Sequence, residues 1–362
     1  GGQPRAGGSG CGNGRGREID HVSRVHTGQL ATHSFLFIYS NCSLITGVSW
    51  LDAYGWMTGN RINGFHREIF YHSIERWIKT MIAYHVTQEG GSNNLVRAKL
   101  IVKEKGVICG QFVINRLLDK HAPNCSYDWK ISEGELVKEK EQILQISGSS
   151  SEILKIERVM LNLLGRLSGI STTTSEWVSD SNDIQLACTR KTEWGILDKW
   201  AVHIGGGLTH RLFRSDALML KENDFASAIE SGEGLNDAIK KLISGIDLEK
   251  NSKFTVVEVQ NINEAILAAE TWSEKQRNNS TSDSVVLLLD NMGPSNAGIV
   301  VAELEKLDLR KWCILEGSGG ITKDSIAEWS SSGVDLISTS CLLYTSPSPR
   351  DQRGSRMPGC GC

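Results

Sequence analysis

The sequence predicts an α/β fold whose larger part is a mostly parallel sheet covered by helices. Two observations carry this. From about residue 184, short apolar runs alternate with segments of helical spacing, the rhythm of strand–helix–strand units. Each run also ends in polar residues. The runs are IQLACTRK (184–191), DALMLKEN (216–223), FTVVEVQN (254–261), SVVLLLDN (284–291), KWCILEGSGG (311–320) and VDLISTS (334–340). Between them lie helical segments such as INEAILAAETWSEKQ (262–276) and SNAGIVVAELEKLDL (295–309). Six such units, or nearly so, suggest a barrel rather than an open sheet.

Upstream, residues 95–148 read as an α+β unit. VRAKLIVKEKGVICG is strand-like around a turn at Lys105–Gly106, and WKISEGELVKEKEQILQISG gives two strands around Gly134. Residues 151–170 read as a helix. Its apolar positions, from Ile153 and Leu154 through Leu167 and Ile170, are too many for one exposed stripe. The helix is expected to be buried or at a subunit interface. The division that follows is 1–90, an atypical N-terminal extension; 91–170, an N-terminal domain with its linking helix; 171–340, the barrel; and 341–362, an atypical tail.

Both ends are expected to lie outside the functional domain. Eight of the first sixteen residues are glycine, which cannot bury a core. Residues 17–90 show no sustained helical or strand period. Six of the nine histidines fall there, and they read as scattered surface side chains rather than metal ligands. The tail holds three of the six prolines and a terminal CxC, Cys360–Cys362, read as inert.

Composition narrows the function. The chain has 362 residues, 39 basic and 42 acidic, with 40% hydrophobic residues. That is globular composition and excludes a wholly disordered chain. A net charge of −3 argues against a protein that coats nucleic acid. Nine cysteines are too dilute for a disulfide scaffold. No apolar run reaches membrane-spanning length and no signal peptide is evident. The expectation is a soluble cytoplasmic protein with no nucleic-acid and no membrane partner.

The strand ends carry the candidate chemistry, because the C-terminal rim of a parallel barrel is where active sites assemble. Arg190, Lys191, His210, Arg211 and Lys221 make a cation cluster suited to a polyanion. Glu258 and Asp290 end neighbouring strands. Beside a phosphate site, such a pair suggests Mg2+ bridging to a diphosphate. Gly317-Ser318-Gly319-Gly320 precedes a helix expected at Thr322 and reads as a phosphate cradle. The run Gly205–Gly207 is read as a place where backbone approaches a ligand. Cys188 reads as strand packing, not as a nucleophile.

The blocks ERVMLNLLGRLSGI (157–170), TRKT (189–192), GGGLTHR (205–211), LKEN (220–223), VEVQN (257–261), LLDNM (288–292) and EGSGGIT (316–322) resemble quinolinate phosphoribosyltransferase in order and spacing. The resemblance runs from Ala98 to Ser340, about two thirds of the chain. It implies an N-terminal α/β sandwich domain and a C-terminal α/β barrel of parallel strands, here incomplete because the tail replaces the closing helix. It implies phosphoribosyl transfer from phosphoribosyl pyrophosphate to quinolinate, giving nicotinate mononucleotide, pyrophosphate and CO2, with Mg2+ as cofactor. It also implies a homodimer or a multiple of dimers.

By the same resemblance, Arg190, Lys191, His210 and Arg211 hold the quinolinate carboxylates, with Thr192 also substrate-binding and Arg158 supplied across the subunit interface. Lys191 and Lys221 face the diphosphate or the ribose. Glu258 and Asp290 bind the ribose hydroxyls and help place the metal. Ser318, Gly319 and Gly320 cradle the 5-phosphate, next to Ser340. Lys191, Lys221, Glu258 and Asp290 are the catalytic set.

Three positions depart from the family pattern. Glu193 puts a negative charge beside the anion pocket, Asp224 follows Asn223 in place of histidine, and Ser340 stands where glycine is usual. Two other readings are open at this stage. One is a related pyrophosphorylase-like protein acting on another acid, and the other is a non-catalytic or damaged homologue.

Overall fold

The computed structural model describes residues 22–25, 61–62, 65–85, 94–182, 184–212, 216–247 and 254–344. The N-terminal glycine-rich stretch and the terminal CxC lie outside them.

The N-terminal unit is built on a four-stranded sheet. Strands β1 (Val22–Val25), β4 (Leu95–Val102), β6 (Ser126–Trp129) and β8 (Gln142–Ser149) run in the order β1-β4-β8-β6. The β4–β8 and β8–β6 pairs are antiparallel, and β1 runs parallel to β4. Two-residue strands form two small ladders, β2 (Arg61–Ile62) with β3 (Phe65–His66) and β5 (Gly106–Val107) with β7 (Leu136–Val137). One sheet face buries Leu100, Val102, Leu144 and Ile146. The period-2 alternation of strand side chains puts their neighbours on the other face.

Helix α1 (Arg67–His85) falls in the stretch where no helical period is evident in the sequence. Its apolar stripe is narrow: Phe70, Ile74 and Ile78, spaced by four, are fully buried in the main core. Glu75 pairs with Arg116 and Lys120 on α2 (Gln111–His121). The Glu133 carboxylate accepts the N–H groups of Gly110 (3.0 Å) and Gln111 (2.8 Å) at the start of α2, a favourable place for a negative charge. It also accepts the Trp200 indole N–H at 2.9 Å.

Helix α3 (Ser150–Asp180) is the spine of the molecule. It runs ten residues beyond the expected end at Ile170. The extension was hidden because its buried residues, Trp177 apart, are polar. Thr172 Oγ1 accepts the Val107 N–H at 2.9 Å, and Ser171 Oγ donates to the Ala201 carbonyl at 2.7 Å. Ser168 Oγ, a turn earlier, accepts the Cys109 N–H at 3.0 Å. Buried hydroxyls are tolerated where each finds a partner, and here they join the N-terminal unit to the barrel.

The barrel is a six-stranded parallel sheet. Strands β9 (Gln185–Cys188), β10 (Ala217–Leu220), β11 (Phe254–Val259), β12 (Val285–Asp290), β13 (Cys313–Ser318) and β14 (Leu336–Thr339) run in the order β10-β11-β12-β13-β14-β9. Among the described residues no ladder joins β9 to β10, so the barrel is incomplete, as expected. Leu208 begins to fill the gap by a parallel bridge to Ala187. Helices α4 (Ile196–Ile204), α5 (Glu222–Ala228), α6 (Leu235–Ser244), α7 (Ile262–Asn278), α8 (Gly293–Lys306) and α9 (Ile326–Ser330) follow the strands in turn. A last turn, α10 (Cys341–Tyr344), buries Leu342 and Leu343 against the core.

Alternation sorts the barrel side chains. Val257, Val259, Leu287, Leu289, Leu315 and Ile337 face the helices. Ala217, Val256, Val286 and Leu288, with Met219, Phe254 and Ile314 against them, fill the interior as a second small core. The register places Glu258, Leu288 and Glu316 side by side on adjacent strands in that interior. Two carboxylates inside a barrel are costly unless paired, and both are.

Candidate active site

The parallel register brings the predicted residues to one end of the barrel. Arg190 and Lys191 follow β9, Lys221 follows β10, and Glu258 lies near the end of β11. Asp290 and Ser318 end β12 and β13 and pair in register. Gly319 and Gly320 follow β13, and Ser340 follows β14. His210 and Arg211 sit in the gap between β9 and β10.

Lys221 is ion-paired to Glu258. The Asp224 carboxylate accepts the Lys221 N–H at 2.9 Å. That departure from the family therefore fixes the Lys221 backbone at the start of α5. Asp290 Oδ2 accepts from the Asn291 amide at 2.9 Å, and the Asn291 N–H donates to the Ser318 carbonyl at 2.9 Å.

Asn291 in turn explains Gly319. That residue has φ +95°, and a Cβ on it would stand 2.1 Å from Asn291 Oδ1 and 2.9 Å from Asn291 Cα. Only glycine meets both the left-handed backbone and the close approach. The loop leads into a 3-10 turn at Lys323–Ser325 and then the five-residue α9. The helix expected at Thr322 is thus a short turn, and the loop offers backbone N–H groups rather than a helix dipole.

His210 is held at both ring nitrogens. Nε2 lies 2.9 Å from Glu316 Oε2, and Nδ1 accepts the Arg211 N–H at 2.8 Å. The second bond needs a bare Nδ1, so the ring proton sits on Nε2 and donates to Glu316. Glu316 is 1% exposed. Burial pushes its carboxyl up, but the hydrogen bonds from His210 and Ser338 and the nearby Lys221 charge outweigh this and leave it below the ordinary range. His210 has φ +51°, an uncommon conformation for a residue with a side chain. The buried Lys199 ammonium donates to the Thr209 carbonyl and braces the same turn. Burial lowers the Lys199 pKa.

The run Gly205–Gly207 serves packing instead of ligand approach. A Cβ on Gly205 would meet the Ser171 carbonyl at 2.5 Å, and one on Gly207 the Thr174 methyl at 2.8 Å. Small residues are needed there because the barrel wall lies against α3. Cys188 is fully buried, and burial raises its thiol, in keeping with strand packing.

Glu193 does not stand free beside the cations. Its carboxylate pairs with Arg166 at 2.9 Å. Arg166 also makes a two-pronged pair with the fully buried Asp198, Nε–Oδ1 3.0 Å and Nη2–Oδ2 3.0 Å. Asp198 Oδ2 further accepts the N–H groups of Glu193 (3.1 Å) and Trp194 (2.9 Å).

Arg158 lies elsewhere, exposed on α3. The residue before it, Glu157, lines an apolar groove together with Val96, Ala98, Leu100, Ile153 and Met160.

Sequence reasoning missed Glu316, Lys199, Asp198 and Arg166. Glu316 had a signal: a single carboxylate inside the apolar run CILEG must face the barrel interior. The other three lie on helices, where a charged residue carries no such mark.

Comparison with known proteins agrees with this geometry. Residues 170–349 match the quinolinate phosphoribosyl transferase C-terminal domain, and residues 80–168 match the N-terminal domain of the same family. A probable nicotinate-nucleotide pyrophosphorylase (carboxylating) of Methanothermobacter thermautotrophicus is 33% identical over 249 residues, covering 67% of this chain and 82% of that protein. A quinolinate phosphoribosyltransferase (decarboxylating) of Nicotiana tabacum is 30% identical over 259 residues, covering 68% and 70%. The solved nicotinate-nucleotide pyrophosphorylase of Francisella tularensis superposes with a TM-score of 0.63 at 27% identity, covering 75% of this chain and 92% of that one.

Proposed function

The chain belongs to the quinolinate phosphoribosyltransferase family, and on that premise we propose that it transfers the phosphoribosyl group of phosphoribosyl pyrophosphate to quinolinate. The products are nicotinate mononucleotide, pyrophosphate and CO2, a step in NAD biosynthesis. The observation that carries the reading is the gathering of four functional elements on one barrel rim. These are the cations of 190–191 and 210–211, Lys221 with Glu258, Asp290, and the Ser318–Gly320 loop.

The chemistry asks for positioning and charge, not for a protein nucleophile. Arg190, Lys191 and Arg211 hold the two carboxylates of quinolinate, with Thr192 beside them. His210, its ring nitrogens engaged internally, orients Arg211 through the backbone. Ser318, Gly319 and Gly320 take the 5-phosphate, with Ser340 next to them. Glu258 and Asp290 bind the ribose hydroxyls. The pyridine nitrogen then attacks the anomeric carbon with its own lone pair. Lys191 and Lys221 offset the charge on the departing pyrophosphate, so the stabilisation is electrostatic. Holding both substrates in line supplies much of the rest. The ring nitrogen, now cationic, stabilises the in-plane electron pair left on C2 when the 2-carboxylate leaves as CO2, and C2 then takes a proton from water.

The donor set also suits Mg2+. Among the described residues no group of three or more His, Cys, Asp or Glu side chains forms a cage of its own. A hard, strongly hydrated cation instead takes one or two carboxylates together with substrate phosphates, and Glu258 and Asp290 would supply those carboxylates. When bound, the ion neutralises diphosphate charge.

We further propose a homodimer or a multiple of dimers in which Arg158 reaches a neighbouring subunit's site. Its exposure on α3 supports this. A cytoplasmic location is supported by free thiols at Cys109, Cys125, Cys188, Cys313 and Cys341. Among the described residues no helix is long and apolar enough to cross a membrane.

The site assignment is tested by quinolinate binding to Arg190→Ala, followed by titration calorimetry. The variant is expected to lose binding by about 100-fold, the worth of a charge-assisted fork. Unchanged binding would remove the carboxylate role from this rim.

A further inference from the structure

We propose that Trp77 is a positioning residue for the cationic loop 189–195, acting through Trp194 from a helix that the sequence sets apart from the functional domain. The proposal rests on the reading of that loop as a quinolinate carboxylate site.

The Trp77 and Trp194 rings stack with centroids 4.9 Å apart and planes 29° apart. The Arg166 guanidinium lies over the Trp194 ring, 4.9 Å from its centroid. Arg166 is itself tied to Asp198 and to Glu193. Asp198 holds the main chain of residues 193 and 194. The C-terminal limb of the loop is therefore gripped at its backbone by Asp198 and at its side chains by Arg166 and Trp77. The N-terminal limb is fixed where the Thr189 N–H donates to the Thr339 carbonyl at 3.2 Å. Arg190 and Lys191, both exposed, hang between two anchored ends.

Trp77 is a firm anchor because its helix is one. Phe70, Ile74 and Ile78 are fully buried, Phe70 packs on Trp200 with ring centroids 5.2 Å apart, and Glu75 is paired to α2. A loop ordered before the ligand arrives does not have to be ordered by it. The clamp should therefore act chiefly on quinolinate affinity, and on the other substrate only through Lys191. Glu193, which departs from the family pattern, then has a role with Trp194 as part of this clamp.

The test compares Trp77→Ala with Trp77→Phe in the full chain, by steady-state kinetics and by hydrogen exchange of the loop amides. Trp77→Ala is expected to raise the quinolinate KM about tenfold, in line with losing one aromatic stack. The KM for phosphoribosyl pyrophosphate should stay within about twofold, since the residues for its 5-phosphate and ribose are held independently, and kcat should fall by less than the quinolinate KM rises, because Lys191 alone of the loop faces the departing pyrophosphate. Amides 190–195 should exchange faster, and Trp77→Phe should recover most of both effects. An unmoved quinolinate KM overturns the proposal, as does an equal loss in both substrates and kcat, which marks general destabilisation. If the wild-type chain turns over no quinolinate, the functional reading fails, and exchange alone decides the clamp. Faster loop exchange in Trp77→Ala upholds it and unchanged exchange overturns it.

Discussion

The loop after β9 and the loop after β13 face the same end of the barrel but are held by different means. The cationic loop 189–195 is fixed by side chains from three helices: Trp77 of α1, Arg166 of α3 and Asp198 of α4. The loop Ser318–Gly320 is fixed by its own backbone, with Gly319 at φ +95° pressed against Asn291. The difference follows from the ligands assigned to them. A phosphate can be cradled by backbone N–H groups, which needs glycine. Two carboxylates on a flat ring need long cationic side chains, and the loop that carries these must be steadied from outside.

The largest expected effect breaks the first loop. Asp198→Ala strips a buried pair of one partner and frees two loop N–H groups. It should cost about 3 kcal/mol or more of stability, read by urea denaturation. Next comes a pH effect on the same helix. Burial lowers the His203 pKa from 6.5 to about 4, so the folded state binds fewer protons than the unfolded state between those values. Stability on this account is complete above pH 6.5 and falls as pH drops towards 4, by about 2–3 kcal/mol. His203→Gln should flatten that part of the urea-midpoint profile.

The second loop is broken by Gly319→Ala. It should raise the KM for phosphoribosyl pyrophosphate about 10- to 100-fold through backbone strain and leave quinolinate binding nearly unchanged. Equal losses for both substrates would show that the two loops are coupled. The smallest effect sharpens the comparison. Glu193 is 60% exposed at its side chain, so Glu193→Ala should cost less than about 1 kcal/mol in urea denaturation. A larger loss would move the anchor from Asp198 to Glu193.

The same contrast explains what the sequence made legible. The barrel was readable because each strand is a short apolar run closed by polar residues, and the register then had to carry those residues to one rim. Gly319 was readable as a cradle because glycine marks backbone need. Gly205 and Gly207 show the limit of that inference, since the same residue type there admits helix α3. The side-chain clamp was not readable. Trp77 lies in a stretch whose stripe of Phe70, Ile74 and Ile78 is interrupted by histidine, arginine and lysine. Arg166 and Asp198 look like ordinary helical charges until packing brings them together. The last ten residues of α3 were lost because Ser171, Thr172 and Thr174 are buried yet polar.

The most direct test measures pyrophosphate and CO2 release by the purified full-length chain with Mg2+ and phosphoribosyl pyrophosphate, offering quinolinate or nicotinate as acceptor. The account predicts release of both products with quinolinate and neither with nicotinate, because the rim places cations for two carboxylates. Turnover with nicotinate, or silence with quinolinate, would contradict it.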